Sequence, residues 1–314
     1  MTEISIGEMF DRKRKELGIS QRQLCEGLCD PATLSRFEQG KLTLSNRRMR
    51  TMLHRMGLQD DRFYALLLDD EMALEAAERE ARSASLAFQR AAAEARPAAW
   101  QHFRKCLEHL ESLEADNPFI QQCSLSLRAG AGTEKGPYSF DEQLAMLLKA
   151  LRLTVPWFEL ANVSLGPYST EEIRLIEQIA GIYAEKGQYE DAGRIYRAIL
   201  EYLEANAYCL PQYSVLRAWA TYGYSRTLRL MGRFQEALDM AASGLRCCVE
   251  SGHYVTLAYL LWLQANCHHS LGNTQKCTEF LYQAHYVLKA TGDEYQLPLL
   301  DADAKKWCGI TFPF

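Results

Sequence analysis

No stretch of this chain stays apolar for the roughly 18 residues a membrane-spanning helix needs. The richest, Tyr254 to Leu263, stops after ten. The start, Met1-Thr2-Glu3-Ile4-Ser5, has neither a basic region nor an apolar core, so no secretory signal is expected. Alternating apolar and polar runs that could pair as strands are missing, which argues against a sheet-based fold. The signatures Gly-x-x-x-x-Gly-Lys-Ser/Thr, Gly-x-Ser-x-Gly and His-Glu-x-x-His do not occur, so nucleotide-loop, α/β-hydrolase and zinc-protease chemistry are not expected; the chain reads as no enzyme, with no cofactor. Ten cysteines are present, but they are scattered, form no Cys-x-x-Cys, and include the adjacent pair Cys247-Cys248. They read as free thiols used as small core residues in a reducing cytoplasm. His268-His269 are helix neighbours about 100° apart, poor geometry for sharing a metal. His102 and His109 lie seven apart on one helix face, but no cysteine or carboxylate pattern completes a site, so no metal is expected.

Net positive charge is also lacking, with 35 Lys/Arg against 40 Asp/Glu in 314 residues. The balance is uneven, however. Residues 1–58 hold eleven Lys/Arg and seven Asp/Glu, a net +4 that leaves −9 for the remainder. A basic head on an acidic body is the asymmetry expected when only the head meets phosphate.

Within that head, Ser20 to Gly40 spells helix, turn, helix. Ser20 with Gln23 has the form of a capping box. Asp30 can cap the next helix, Pro31 suits its first position and Gly40 its exit. Leu24, Leu28, Leu34 and Phe37 supply the apolar sides, leaving Ala32, Thr33, Ser35 and Arg36 outward on the second helix. This is the layout of a DNA-reading helix-turn-helix. Arg36 can grip guanine bidentately, and Thr33 or Ala32 can meet a thymine methyl. Gln21 and Gln23 open the preceding helix, where phosphate is held. Lys41 and Arg47, just past the second helix, are placed for phosphate as well. Flanking helices are expected from Ser5, with Glu8 as its box partner, to Leu17; after Ser45; and from about Asp60 to Leu68.

Residues 69–96 are rich in Ala, Glu and Arg, a strong helix-forming composition closed by Pro97, and read as a linker helix. Beyond it, helical hairpins are expected around 99–114, 118–129 and 140–153, with a mobile loop at 128–139. Ser169 and Glu172 cap the helix that opens the first clear repeat. The repeat itself is Gly187-x-Tyr189-x-x-Ala192, recurring as Gly232-x-Phe234-x-x-Ala237 and, degraded, as Gly272-x-Thr274-x-x-Cys277, at spacings of 45 and 40 residues. Glycine permits the turn, the aromatic anchors the second helix, and the small residue lets the two helices approach. This is a tetratricopeptide-like pattern with long loops.

Aligning the motifs predicts the concave face. Counting back from Gly232 gives Trp219, Tyr222, Arg226 and Arg229; from Gly272, Tyr259, Trp262, Asn266 and His269; from Gly187, Arg174, Glu177, Gly181 and Ala184. Arginines, an asparagine and aromatics suit an extended peptide. Trp219 and Trp262 fit equally well as side chains packed between helices.

The fold expected is therefore all-α: a five-helix helix-turn-helix domain at 1–68, a linker helix at 69–96, and an α-solenoid of tetratricopeptide-like hairpins at 97–314. The head resembles the phage-repressor (Xre) type closely. That resemblance implies a structural pair between an arginine of the first helix and a glutamate ending the recognition helix, here Arg14 and Glu38. The chain departs from it at Pro31-Ala32, where many members place polar base readers, so weight moves to Thr33 and Arg36. Head, linker and repeats together resemble the RRNPP group of peptide-pheromone regulators of Gram-positive bacteria, of the PlcR and Rgg types. The resemblance covers essentially the whole chain and is most specific at Ser20–Gly40 and from Tyr168 to Ala192. It implies a cytoplasmic homodimer that binds operator DNA through its heads and a short peptide in its groove, with Asn266 and Arg226 as peptide contacts. Two other readings stand beside it: a protein-interaction scaffold whose head only tethers it to DNA, and an effector-independent repressor.

Overall fold

The computed structural model describes residues 6–57, 69–113, 116–132, 136–207 and 212–312. Among them every regular element is helical, and no helix is long and apolar enough to cross a membrane. The head comprises α1 (Ile6–Glu16), α2 (Gln21–Cys25), α3 (Pro31–Glu38) and α4 (Asn46–Arg55). The expected start at Ser5 and the fifth helix at 60–68 lie outside the described residues.

The local signals act as their chemistry dictates. Ser20 Oγ accepts from Gln23 N–H while the Gln23 side chain accepts from Ser20 N–H, a complete capping box. Asp30 accepts from Thr33 N–H, with Pro31 in the first turn of α3. Gly18 and Gly40 both take the left-handed conformation, φ +69°, and end α1 and α3. Phe10, Leu24, Leu28, Leu34, Phe37, Met49, Met52 and Leu53 close the head core, together with Phe119 from further along the chain. Phe10 meets Phe37 edge to face at 5.1 Å, a geometry worth about 0.5–1.5 kcal/mol beyond area burial.

Next come α5 (Asp69–Arg90), α6 (Arg96–Leu113), α7 (Pro118–Gly130) and α8 (Phe140–Thr154). The linker helix ends at Arg90, short of the expected 96, and Pro97 falls inside the first turn of α6 instead of closing α5. Proline is tolerated there because its missing N–H would have had no partner. The 91–95 stretch, Ala-Ala-Ala-Glu-Ala, is a strong helix former by composition, so the break after Arg90 reflects packing that overrides local propensity. The reversal lets Phe88 of α5 pack on Trp100 and Phe103 of α6, with ring centroids 5.0 and 6.3 Å apart. Of the stretch expected as a loop at 128–139, α7 takes in 128–130, and 133–135 lie outside the described residues. A 3-10 turn at Leu160–Leu165 leads to α9 (Thr170–Glu185), whose start carries the Ser169–Glu172 box.

The remaining helices are α10 (Tyr189–Ala205), α11 (Tyr213–Leu230), α12 (Phe234–Ser251), α13 (Tyr254–Ser270), α14 (Thr274–Thr291) and α15 (Leu297–Cys308). All three repeat glycines adopt positive φ, +78° at Gly187, +76° at Gly232 and +73° at Gly272. Each turn closes with the same pair of backbone bonds, as in Gly232 N–H to Arg229 C=O and Arg233 N–H to Leu228 C=O, which satisfy carbonyls the helix end would leave bare. Ala192, Ala237 and Cys277, the small residues of the motif, are all fully buried. The chain divides into two compact units, residues 1–179 with 206–211, and residues 180–205 with 212–314. Nine cysteines are free thiols among the described residues.

Candidate functional site

In the head, the first question is which expected DNA contacts stay outward. Arg36 and Ala32 are exposed, and Arg36 has no side-chain partner among the described residues. Thr33 is only half-exposed, and its hydroxyl donates to Asp30 Oδ2 at 2.8 Å, so its polar group serves the helix cap. Ser35 accepts from Gln39 Nε2 at 3.1 Å, and Lys41 Nζ donates to Gln39 Oε1 at 2.8 Å, a polar chain along the exit of α3. Gln23 is exposed but committed to capping.

Two expected phosphate contacts are drawn inward instead. The Gln21 amide donates to Glu38 Oε2 at 2.5 Å. It joins the pair formed by Arg14, whose Nε donates to Glu38 Oε1 at 2.6 Å and whose Nη2 donates to Asp11 at 2.6 Å. Arg14 and Glu38 are the buried structural pair that the head's resemblance implied. The Glu38 hydrogen bond raises the Arg14 pKa despite burial. Arg47 pairs with Glu78 of α5 and lines a partly open cavity of about 130 Å³ with Arg50, Arg82 and Phe119. Desolvation lowers its pKa. A pattern at the tail of a helix-turn-helix shows that Arg47 lies near the surface of the head, not that a later helix covers it.

The turn between α2 and α3 has a further support. Arg55 of α4 is buried and donates from Nη1 to the carbonyls of Leu24 (2.9 Å) and Glu26 (2.8 Å). From Nη2 it donates to the Thr154 carbonyl (2.8 Å) and to Glu172 Oε1 (3.3 Å). Gly27, at φ +73°, sits so close that an added Cβ would lie 2.1 Å from the Thr154 oxygen. Nothing near Gly27 or Arg55 in sequence announces these partners.

In the repeats, a cavity of about 290 Å³ is lined by Tyr222, Arg226, Arg229, Tyr259, Trp262, Leu263, Asn266, Gln296 and Asp303. Six of the residues aligned from the glycine motifs thus come together. Arg226 donates to Glu185 Oε1 at 2.5 Å, and Arg229 Nη1 to Asn266 Oδ1 at 3.4 Å. Burial works against the charge of Arg226, but the Glu185 bond and charge more than offset it, and its pKa is raised. Burial also pushes the Tyr222 hydroxyl up. Trp262 Nε1 donates to Asp303 Oδ2 at 3.1 Å, and desolvation raises that carboxyl's pKa.

The other two groove candidates stand aside from the cavity lining. Trp219 packs edge-on against Tyr222 at 6.2 Å and tilts against Tyr259 at 6.1 Å, acting as a wall behind those rings. His269 is exposed and stacks on Trp307 at 5.3 Å. From the Gly187 register, Ala184 is buried and Arg174 lines the smaller cavity beside Arg47. Gln296 and Asp303 were not foreseen, because the residues bringing them carry no glycine–aromatic motif.

The family model described as the RNPP family C-terminal domain matches residues 151–295. Over this segment the chain is similar to the RNPP family C-terminal domain. Apart from Asp303, every residue lining the larger cavity lies within the match or, for Gln296, one residue beyond it. Arg55 also reaches the matched segment, at Thr154 and Glu172. Among solved structures, the chain is similar to Bacillus thuringiensis PlcR in complex with the peptide PapR7 and DNA, at 17% identity and TM-score 0.61 over 95% of this chain and 99% of that one. It is also similar to the competence regulator ComR of Streptococcus vestibularis with its cognate signalling peptide XIP (15%, 0.52, 97% and 98%). A third is aspartyl phosphate phosphatase F of Bacillus subtilis (14%, 0.52, 98% and 80%). At these identities the likeness shows a shared fold. A sequence search of the curated proteins returns no match.

Proposed function

We propose that this chain is a sequence-specific DNA-binding transcriptional regulator, controlled by a short signalling peptide held in the groove of its RNPP domain. In this reading residues 1–68 are the DNA-binding head, 69–96 the linker and 97–314 the regulatory body. The protein acts as a cytoplasmic homodimer whose two heads meet half-sites a helical turn or a multiple apart. It is not an enzyme. Arg36 is the principal base reader, Ala32 offers an apolar contact for a thymine methyl, and Lys41 serves phosphate.

The observation that carries the proposal is the Tyr222–Arg226–Arg229–Tyr259–Trp262–Asn266 cavity in a chain that also bears an outward-facing Arg36 on a capped second helix. At about 290 Å³ the cavity is near the lower end of ligand pockets, about 300–1,000 Å³, and takes one or two peptide side chains or a terminus rather than a whole peptide. Arg229 can take a carboxylate, and the amide N–H groups of Asn266 can meet a peptide carbonyl. That PlcR was captured with a peptide and DNA, and ComR with its signalling peptide, supports the reading.

The test is to purify the protein from its native cells, identify retained short peptides by mass measurement, and footprint DNA with and without synthetic copies. Arg36→Ala should lose about 1–3 kcal/mol of base discrimination. Asn266→Ala with Arg226→Ala should abolish the peptide response while leaving peptide-free DNA binding intact. Unchanged operator selection in Arg36→Ala, or equal peptide binding by the groove variant, would refute the proposal.

A further inference from the structure

His102 does not stand with His109, the partner weighed from the sequence. It stands with Cys106, four residues on along α6, and with Glu80 of α5. One ligand atom from each of the three lies within 4.8 Å of the others. Cys106 Sγ is 3.7 Å from His102 Nε2 and 3.8 Å from Nδ1. Glu80 and His102 are exposed, while Cys106 is 5% exposed with its back to the α5–α6 core. The three groups therefore converge at the rim of the hairpin, with an apolar floor below and solvent above.

From this geometry we infer a binding site for a zinc-class divalent cation formed by Glu80, His102 and Cys106, with solvent at a fourth position. The separations fit: metal–sulfur and metal–nitrogen bonds of about 2.3 and 2.0–2.1 Å at a tetrahedral angle put the two ligand atoms about 3.5 Å apart. The donor set fits as well. Thiolate and imidazole select a borderline-soft ion, whereas a single carboxylate is too little for magnesium or calcium. The His-x-x-x-Cys spacing puts two ligands on one helix face, and the third comes from the neighbouring helix. Binding takes the ion from water, displaces the thiol proton to solvent and ties α5 to α6.

The full chain, reduced and stripped with a chelator, is titrated with Co²⁺ and followed by absorption. One equivalent should give a thiolate-to-cobalt charge-transfer band with tetrahedral ligand-field bands, bleached by Zn²⁺, and should raise the melting temperature. His102→Ala and Glu80→Gln alter exposed residues and leave the core alone. Each should weaken Co²⁺ binding at least tenfold and remove the melting shift at equal metal concentration. Cys106→Ala should eliminate the charge-transfer band. No thiolate band at one equivalent overturns the site, as does a band that survives Cys106→Ala or keeps full affinity in both His102→Ala and Glu80→Gln, since the thiolate would then lie elsewhere.

Discussion

Replacing Glu172 by Gln isolates one charge in the support beneath the helix-turn-helix. The wild-type carboxylate accepts from Arg55 Nη2 at 3.3 Å through one oxygen and from the Ser169 N–H at 2.7 Å through the other. The side chains of Arg55 and Glu172 are 2% and 1% exposed, so neither charge has water to fall back on. Glutamine keeps an oxygen for the Ser169 cap but turns an NH2 donor toward Arg55, so the countercharge and its hydrogen bond are lost together. Losing one partner of a buried pair costs about 3–5 kcal/mol. Here three carbonyls still solvate the Arg55 cation, so about 2–3 kcal/mol is expected, near the worth of one charged hydrogen bond. At 1.4 kcal/mol per factor of ten, local opening should rise roughly 30- to 150-fold. Arg55→Met should cost more, because it bares the carbonyls of Leu24, Glu26 and Thr154 and strands Glu172. Native-state amide exchange of Met52 and Leu53 in α4, beside a urea titration of the whole chain, reads both variants. The reasoning fails if Glu172→Gln stays within about 0.5 kcal/mol of wild type, or if Arg55→Met is no worse than Glu172→Gln.

Two glycines separate conformational from steric demand. Gly232 has open space around it at φ +76°, so Gly232→Ala should cost only the left-handed penalty, about 1 kcal/mol, in a urea titration. An added Cβ at Gly223 would lie 2.4 Å from the Tyr196 ring, so Gly223→Ala must push α10 from α11 and should cost more than Gly232→Ala; equal losses would contradict the packing account. Burial raises the Glu177 carboxyl from its ordinary 4.5 to about 7, against a smaller opposing effect of Arg174. Between these values the unfolded chain is ionised while the folded one still holds its proton, so this group lowers stability as pH rises from about 4.5 to 7 and adds no further change above. Glu177→Gln should flatten that part of the stability–pH curve, and an unchanged slope would show that another group sets it.

What could be read from the sequence was written locally. Ser20–Gln23, Asp30–Pro31, Gly18 and Gly40 each act on residues within one turn, so α2 and α3 begin and end where their caps require. The groove was legible for a different reason: Gly187, Gly232 and Gly272 set the phase of each hairpin, and steps of three and four residues then select one face. That argument reached Tyr222, Arg226, Tyr259 and Asn266, but not Asp303 or Gln296, which no glycine-phased hairpin supplies. It also named His269, which stacks on Trp307 outside the cavity lining, a contact that counting does not foresee. The Glu80–His102–Cys106 group shows the same divide. His102 and Cys106 have a readable four-residue spacing, but Glu80 joins them only because α5 ends at Arg90 and the chain doubles back.

The head is where long-range contacts change the reading most. By sequence Arg36 is a base reader, Arg47 a phosphate contact and Arg14 the partner of Glu38 that the resemblance implies, while Arg55 carries no reading. In the folded chain they divide into three kinds. Arg36 faces outward; Arg14 is spent on Glu38 and Asp11 inside the head; Arg47 and Arg55 are held by groups from beyond residue 68. The last kind joins the turn between α2 and α3 to a distant part of the chain. Gly27 and the carbonyls of Leu24 and Glu26 form the turn that sets α3 against α2, and that turn rests on Thr154 and Glu172. A shift of a few tenths of an ångström at Thr154 cannot be absorbed by a side chain, because the contact with Gly27 is backbone to backbone. It must be met by the turn itself or by breaking the Arg55 bonds. The turn that sets α3, and with it Arg36, is therefore packed directly on Thr154 and held to Glu172 through Arg55, in the segment similar to the RNPP domain.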